Sequence, residues 1–151
     1  HSFSMNELLS NVASLNFFKG LSQESLELLL PAFKYESFAP SQVFIKQGDQ
    51  ENKDFFIITS GLASVFVVKD DTEITLKDLH PGELAGEFSF ITGGTRSASV
   101  RANSTTEVIR VRYRTLLEIL SKHPKIGLVI FRNISKAMAN KLMTLNHSAF
   151  S

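Results

Sequence analysis

From Phe38 to about Tyr113 the apolar residues recur every second position, whereas on both sides of that span they recur at about 3.6. Val43-Phe44-Ile45 reads as a strand and Gln47-Gly48-Asp49 as the turn after it. Phe55 to Ile58 is a buried strand, Ser60-Gly61 a turn, Leu62 to Val68 another strand, and Asp70-Asp71 a hairpin tip. Ile74, Leu76 and Leu79 continue with polar residues between them. Near the end, Ile109, Val111 and Tyr113 alternate with Arg110 and Arg112, a strand with one wet face. Short strands at even spacing, punctuated by Gly and Asp, argue for an antiparallel roll or barrel.

The flanks are helical. Leu8, Leu9, Val12 and Leu15 give a short amphipathic helix over Asn6 to Leu15, closed by Phe17-Phe18 and Gly20. Ser22 is placed to cap a second helix, with Glu24 in its first turn and Leu26, Leu29 and Leu30 inward, and Pro31 stops it. After the roll, Thr115 to Lys122 forms a short helix with Leu116, Leu117 and Leu120 inward. Pro124 opens a longer one, where proline suits a first turn. Its stripe is Ile126, Ile130, Ile134, Ala137, Met138, Leu142 and Leu145, with Arg132, Lys136 and Lys141 off it.

Chemistry concentrates in Pro81 to Ala102, PGELAGEFSFITGGTRSASVRA. Glycines at 82, 86, 93 and 94 let backbone N–H groups approach a ligand. Successive N–H groups beside an arginine make an anion site. A carboxylate is only an acceptor and suits a sugar hydroxyl. Glu87 and Arg96 together therefore read as one grip on a ribose and one on a phosphate. The plain alternative is a β-turn loop whose arginine makes a surface salt bridge.

Gly86-Glu87, a short helical spacer, then Arg96-Ser97-Ala98-Ser99-Val100 resembles the phosphate-binding cassette of cyclic nucleotide-binding domains. The resemblance extends over roughly Leu9 to Asn146 and includes, in order, QGD, FFIITSG and LKDLHPGE. It implies a mainly β fold with flanking helices: an antiparallel β-roll (jelly-roll, double-stranded β-helix) with N-terminal helices and a C-terminal helix pair. It also implies that Glu87 holds the ribose and that Arg96 and Ser97 hold the cyclic phosphate, with Ala98 beside them and backbone N–H groups of Gly86 and Phe88 completing the cradle. Arg132 and Lys136 on the last helix are candidates for base or lid contacts. Ala85 stands where the family usually has Phe, Thr95 where it has Pro, and Pro40-Ser41 where a glycine usually turns into the first long strand.

One domain over 6–147 is expected, with helices in 6–38, the roll in 39–113 and C-terminal helices in 114–147; residues 1–5 read as a tag remnant or disordered start. The ligand is expected to be a cyclic nucleotide, cAMP before cGMP, signalling through the C-terminal helix, which also offers a surface for a homodimer. With no cysteine among 151 residues, disulfides and thiolate chemistry are excluded. The histidines at 1, 80, 123 and 147 have no metal-ligand spacing, and Ser97 and Ser99 have no histidine near them in sequence. No metal, cofactor or enzymatic activity is therefore expected. Net charge of +1 gives no case for nucleic acid, and no helix-turn-helix follows the long helix. No apolar run reaches the ~18 residues of a membrane span, and a cytoplasmic location is expected. A rival expectation is a degenerate roll that serves as an interaction module and binds no nucleotide.

Overall fold

The computed structural model describes Glu7, Ser10 and residues 15–150, with 141 and 144–150 as backbone. Glu7 and Ser10 are helical; Leu8, Leu9, Val12 and residues 1–5 lie outside the described residues. The contacts divide the chain into two compact units. One is Leu30–Leu116; the other draws on both flanks, up to Leu29 and from Leu117.

The first unit is an antiparallel roll of two four-stranded sheets. Its strands are β1 (Phe33–Phe38), β2 (Val43–Ile45), β3 (Phe55–Ser60), β4 (Ala63–Lys69), β5 (Thr72–Leu79), β6 (Leu84–Ala85), β7 (Ser99–Ala102) and β8 (Thr106–Val111). One sheet has the order β1-β8-β3-β6, the other β2-β7-β4-β5. The strands are short because turn chemistry interrupts them. Gly48 and Gly61 have φ of +87° and +92°. A Cβ on Gly61 would stand 2.3 Å from the Thr105 carbonyl oxygen, so only glycine fits there. Asp70 and Asp71 both take positive φ at the β4–β5 tip, as a tight hairpin requires.

The core of the roll is phenylalanine-rich. Phe38 and Phe44 stack with ring centroids 4.4 Å apart, and Phe56 meets both edge-on. Ile45, Ile58, Ala63, Leu79, Ala85, Val100, Ala102 and Val108 close around them. All four residues Phe55 to Ile58 are buried, which explains why this strand reads as a continuous apolar run. A six-residue helix, α2 (Glu87–Thr92), covers its other face, with Phe90 tilted on Phe55 at 5.0 Å.

In the second unit, α1 (Gln23–Leu29) starts at Ser22, whose Oγ accepts the Ser25 N–H at 3.1 Å. α3 (Tyr113–Lys122) leads from the roll into this unit, and α4 (Pro124–Phe150) follows. The 3-10 turn Asn16–Phe18 packs on α4, and Asn133 Nδ2 donates to the carbonyls of Phe17 (2.8 Å) and Lys19 (2.9 Å).

Several local expectations change. Residues 33–38 form strand β1, not the end of the N-terminal helices: Pro31 breaks the helix, and Phe33 to Phe38 then pairs along its whole length with β8. Tyr113 opens α3 instead of ending β8, because its N–H is accepted by the Asp54 carboxylate at 2.8 Å. Leu117 is exposed, and so are Ile74 and Leu76, which alternate correctly but point away from the core. On α4, Ile126, Ile130 and Ile134 are buried as expected, whereas Ala137 and Leu142 are exposed.

Candidate functional site

The loop that leaves β6 turns at Gly86 (φ +82°), which is the N-cap of α2 and has no side-chain cap of its own. Glu87 is the first helical residue and is half-buried. Gly93, also left-handed, ends the helix through its N–H to the Ser89 carbonyl. Three residues later the chain delivers Arg96 into the interior, 4% exposed.

Arg96 carries a full charge, and among the described residues its guanidinium hydrogen-bonds only to neutral carbonyls. Nη1 donates to the Gly86 carbonyl at 2.9 Å, and Nη2 donates to the Asp54 carbonyl. Among the described residues it belongs to no ion pair. Burial pushes its pKa below the ordinary arginine value, the charges of Asp49 and Asp54 raise it, and Arg110 lowers it again. A guanidinium so placed stays protonated and presents forked donors. Carbonyls satisfy those N–H groups without neutralising the charge.

The loop is held from the opposite side by residues 46–54. Arg96 N donates to the Asp49 carbonyl at 2.9 Å, and Gly48 N donates to the Arg96 carbonyl at 2.9 Å. Lys53 Nζ reaches the Gly94 carbonyl at 3.0 Å, and Ser99 Oγ accepts the Gln47 N–H at 2.8 Å. Thr95 therefore needs no proline ring to set its loop. Ala85, 3% exposed, sits in β6 opposite Phe56, so a small residue fits there without opening the core.

The structure brings Gly86, Glu87, Arg96 and the start of α2 into one loop system. Ser97 is exposed and Ala98 half-buried just beyond Arg96, while the Phe88 ring is 58% exposed. Arg132 and Lys136 are exposed on α4 in the other unit, where they line a cleft beside the 3-10 turn.

Asp54 is the residue that the sequence reading missed. Besides its carbonyl on Arg96, its carboxylate accepts Arg110 Nε at 2.8 Å and the Tyr113 N–H at 2.8 Å. Arg110 also reaches Glu36 at 3.2 Å and lies over the Phe56 ring. Burial lowers the Arg110 pKa, but the Asp54 hydrogen bond and the Glu36 charge outweigh it and leave it raised. The signal was an acid directly before four consecutive apolar residues, Phe55 to Ile58, a place where a charge needs a partner. Among the described residues no group of His, Asp and Glu could hold a metal ion, and no helix is long and apolar enough to cross a membrane.

The model of the family described as "Cyclic nucleotide-binding domain" matches residues 35–123, a span that contains the roll's strands from Tyr35 onward and the whole loop system. The chain belongs to this family. Similar members of the cyclic nucleotide-binding family span channels and regulators. The potassium channel KAT3 of Oryza sativa subsp. japonica is 28% identical over 119 residues, 79% of this chain and 24% of the channel. The catabolite activator protein of Thermus thermophilus superposes with a TM-score of 0.73 at 27% identity, covering 89% of this chain and 61% of that one. The regulatory domain of Toxoplasma gondii PKA, solved with cAMP, superposes with a TM-score of 0.69 at 21% identity over 78% of this chain and 46% of that one. The chain spans about a quarter of the length of the channel relative.

Proposed function

We propose that the roll unit binds a cyclic nucleotide reversibly, cAMP in preference to cGMP, and that the chain is a non-enzymatic regulatory module of the cytoplasm. The observation that carries this reading is the buried Arg96 charge, held by two carbonyls beside Gly86-Glu87. Arg96 and Ser97 hold the cyclic phosphate, Glu87 accepts from the ribose hydroxyl, and backbone N–H groups at Gly86 and Phe88 complete the cradle. In support of cAMP, the regulatory domain of Toxoplasma gondii PKA, which has a similar fold, was solved with cAMP.

The output is a change in α4, which pairs with a second copy of itself. Leu128, Phe131, Ser135, Met138, Leu142 and Leu145 follow a heptad a/d spacing on that helix. Leu128, Phe131 and Leu142 are exposed at 62%, 41% and 61%, which gives that seam an apolar surface.

Titration calorimetry with cAMP, cGMP and 5′-AMP tests the reading. Saturable binding of cAMP, weaker binding of cGMP and none of 5′-AMP is expected. A folded chain that binds none of the three is the interaction module instead.

A further inference from the structure

The helical unit has a cleft of about 530 Å³ between α4 and the 3-10 turn with the Lys19-Gly20 that follows it. This is within the ~300–1,000 Å³ of small-molecule sites. Lys19, Arg132 and Lys136 bring three cations to it, and Asn16 and Asn140 bring amides; among the described residues that line it, none is acidic. Arg132 and Lys136 stand four apart on one helical face, where like charges destabilise a helix unless something offsets them. The walls are fixed in advance. Asn133 Nδ2 spans the Phe17 and Lys19 carbonyls at 2.8 and 2.9 Å and ties the turn to the helix. Gly20, at φ +91°, bends the chain directly after Lys19, and a Cβ there would lie 3.7 Å from Val129. A ligand entering this cleft meets forked and point-charge donors without having to order the loop.

We propose that this cleft is a second ligand site, which takes a small, multiply charged oxyanion such as a phosphorylated metabolite. It belongs to the helical unit and does not involve Arg96 of the roll. Binding there would act directly on the turn and on α4, the helix that carries the output.

Nitrogen-15 amide spectra of the whole chain test this, titrated with inorganic pyrophosphate against sodium chloride of matched ionic strength. Saturable shifts are expected at Lys19, Gly20 and residues 129–140. The triple variant Lys19→Gln/Arg132→Gln/Lys136→Gln changes only exposed side chains, and its spectrum shows whether it is folded. It should bind pyrophosphate at least roughly tenfold more weakly, the order of one lost charge-assisted hydrogen bond. Single Lys19→Gln should show a smaller loss and serves if the triple variant does not fold. A parallel titration with citrate separates the sources: shifts with pyrophosphate alone mark a phosphoryl site, and shifts with both mark a general oxyanion site. The proposal is overturned if the response is non-saturating or reproduced by chloride, if the variants bind as the parent does, or if the shifts are confined to residues 83–99.

Discussion

The Arg96 guanidinium and Gly86 occupy space that a single methyl group would contest. Nη1 donates to the Gly86 carbonyl at 2.9 Å, and a Cβ on Gly86 would stand 2.6 Å from that nitrogen and 2.9 Å from Ile45 Cδ1. Gly86→Ala must therefore displace the arginine while holding φ at +82°. The left-handed conformation alone costs an alanine about 1–2 kcal/mol. A lower melting temperature and a loss of cyclic nucleotide affinity are expected together. An unchanged melt with unchanged affinity would contradict the geometry.

Arg96→Ala removes the cation on which the anion reading rests. Loss of one partner from a buried charged pair costs roughly 2–5 kcal/mol, or about thirty-fold to a few thousand-fold in affinity. Arg96→Lys should also be weak, since a point charge does not reproduce the fork. Glu87→Gln keeps an acceptor and loses its charge, so about tenfold is expected, and less for a 2′-deoxy cyclic nucleotide. Calorimetry on folded variants measures all three. Parent-like binding by folded Arg96→Ala would leave the interaction module as the function.

Asp54 links three segments through one residue: Arg96 through its carbonyl, and Arg110 and the first turn of α3 through its carboxylate. Asp54→Ala strands Arg110 with Glu36 alone and uncaps Tyr113, and about 2–3 kcal/mol of stability should go. Asp54→Asn keeps an acceptor for the Tyr113 N–H and should lose about half as much. Urea titration gives both values; a loss below ~0.5 kcal/mol for alanine would show that the network contributes little.

Ser41 has φ of +75° at the turn into β2, a conformation that favours glycine. The turn keeps its backbone bonds, from Ser41 N to the Ala102 carbonyl at 2.7 Å and from Gln42 N to the Ala39 carbonyl at 3.1 Å. Ser41→Gly relieves about 1–2 kcal/mol of strain and incurs about 0.5–1 kcal/mol of unfolded-state entropy. The net expectation is a gain of about 0.5–1 kcal/mol in thermal or urea unfolding. Destabilisation would mean that the serine side chain contributes more than its strain.

The exposed seam on α4 predicts self-association. Light scattering at micromolar concentration should give a dimer, and Leu128→Glu/Leu142→Glu should give a monomer that still binds nucleotide. Hydrogen exchange in residues 125–146 should slow on nucleotide binding if α4 carries the output. A monomeric parent, or exchange that does not respond, would remove the corresponding part of the proposal.

The local rules acted within a few residues, and those parts were legible from the sequence. Ser22 caps α1, Gly48, Gly61 and Asp70-Asp71 turn the chain, and strand β4 and the apolar run of β3 appear where the sequence put them. That Glu87 and Arg96 belong to one loop system was legible because they stand only nine residues apart in glycine-rich chain. Other features required the tertiary structure, for a physical reason. Whether Ile74, Leu76 or Leu117 is covered depends on what stands opposite, and alternation names a face without naming its neighbour. β1 exists because β8, about seventy residues on, supplies its hydrogen bonds. Asp54 meets Arg110 and Tyr113 across 56 and 59 residues of chain, and Lys19 lines a cleft with Arg132 and Lys136 only because the two flanks fold into one unit. Charge pairing at that separation is set by chain geometry, which no local pattern encodes.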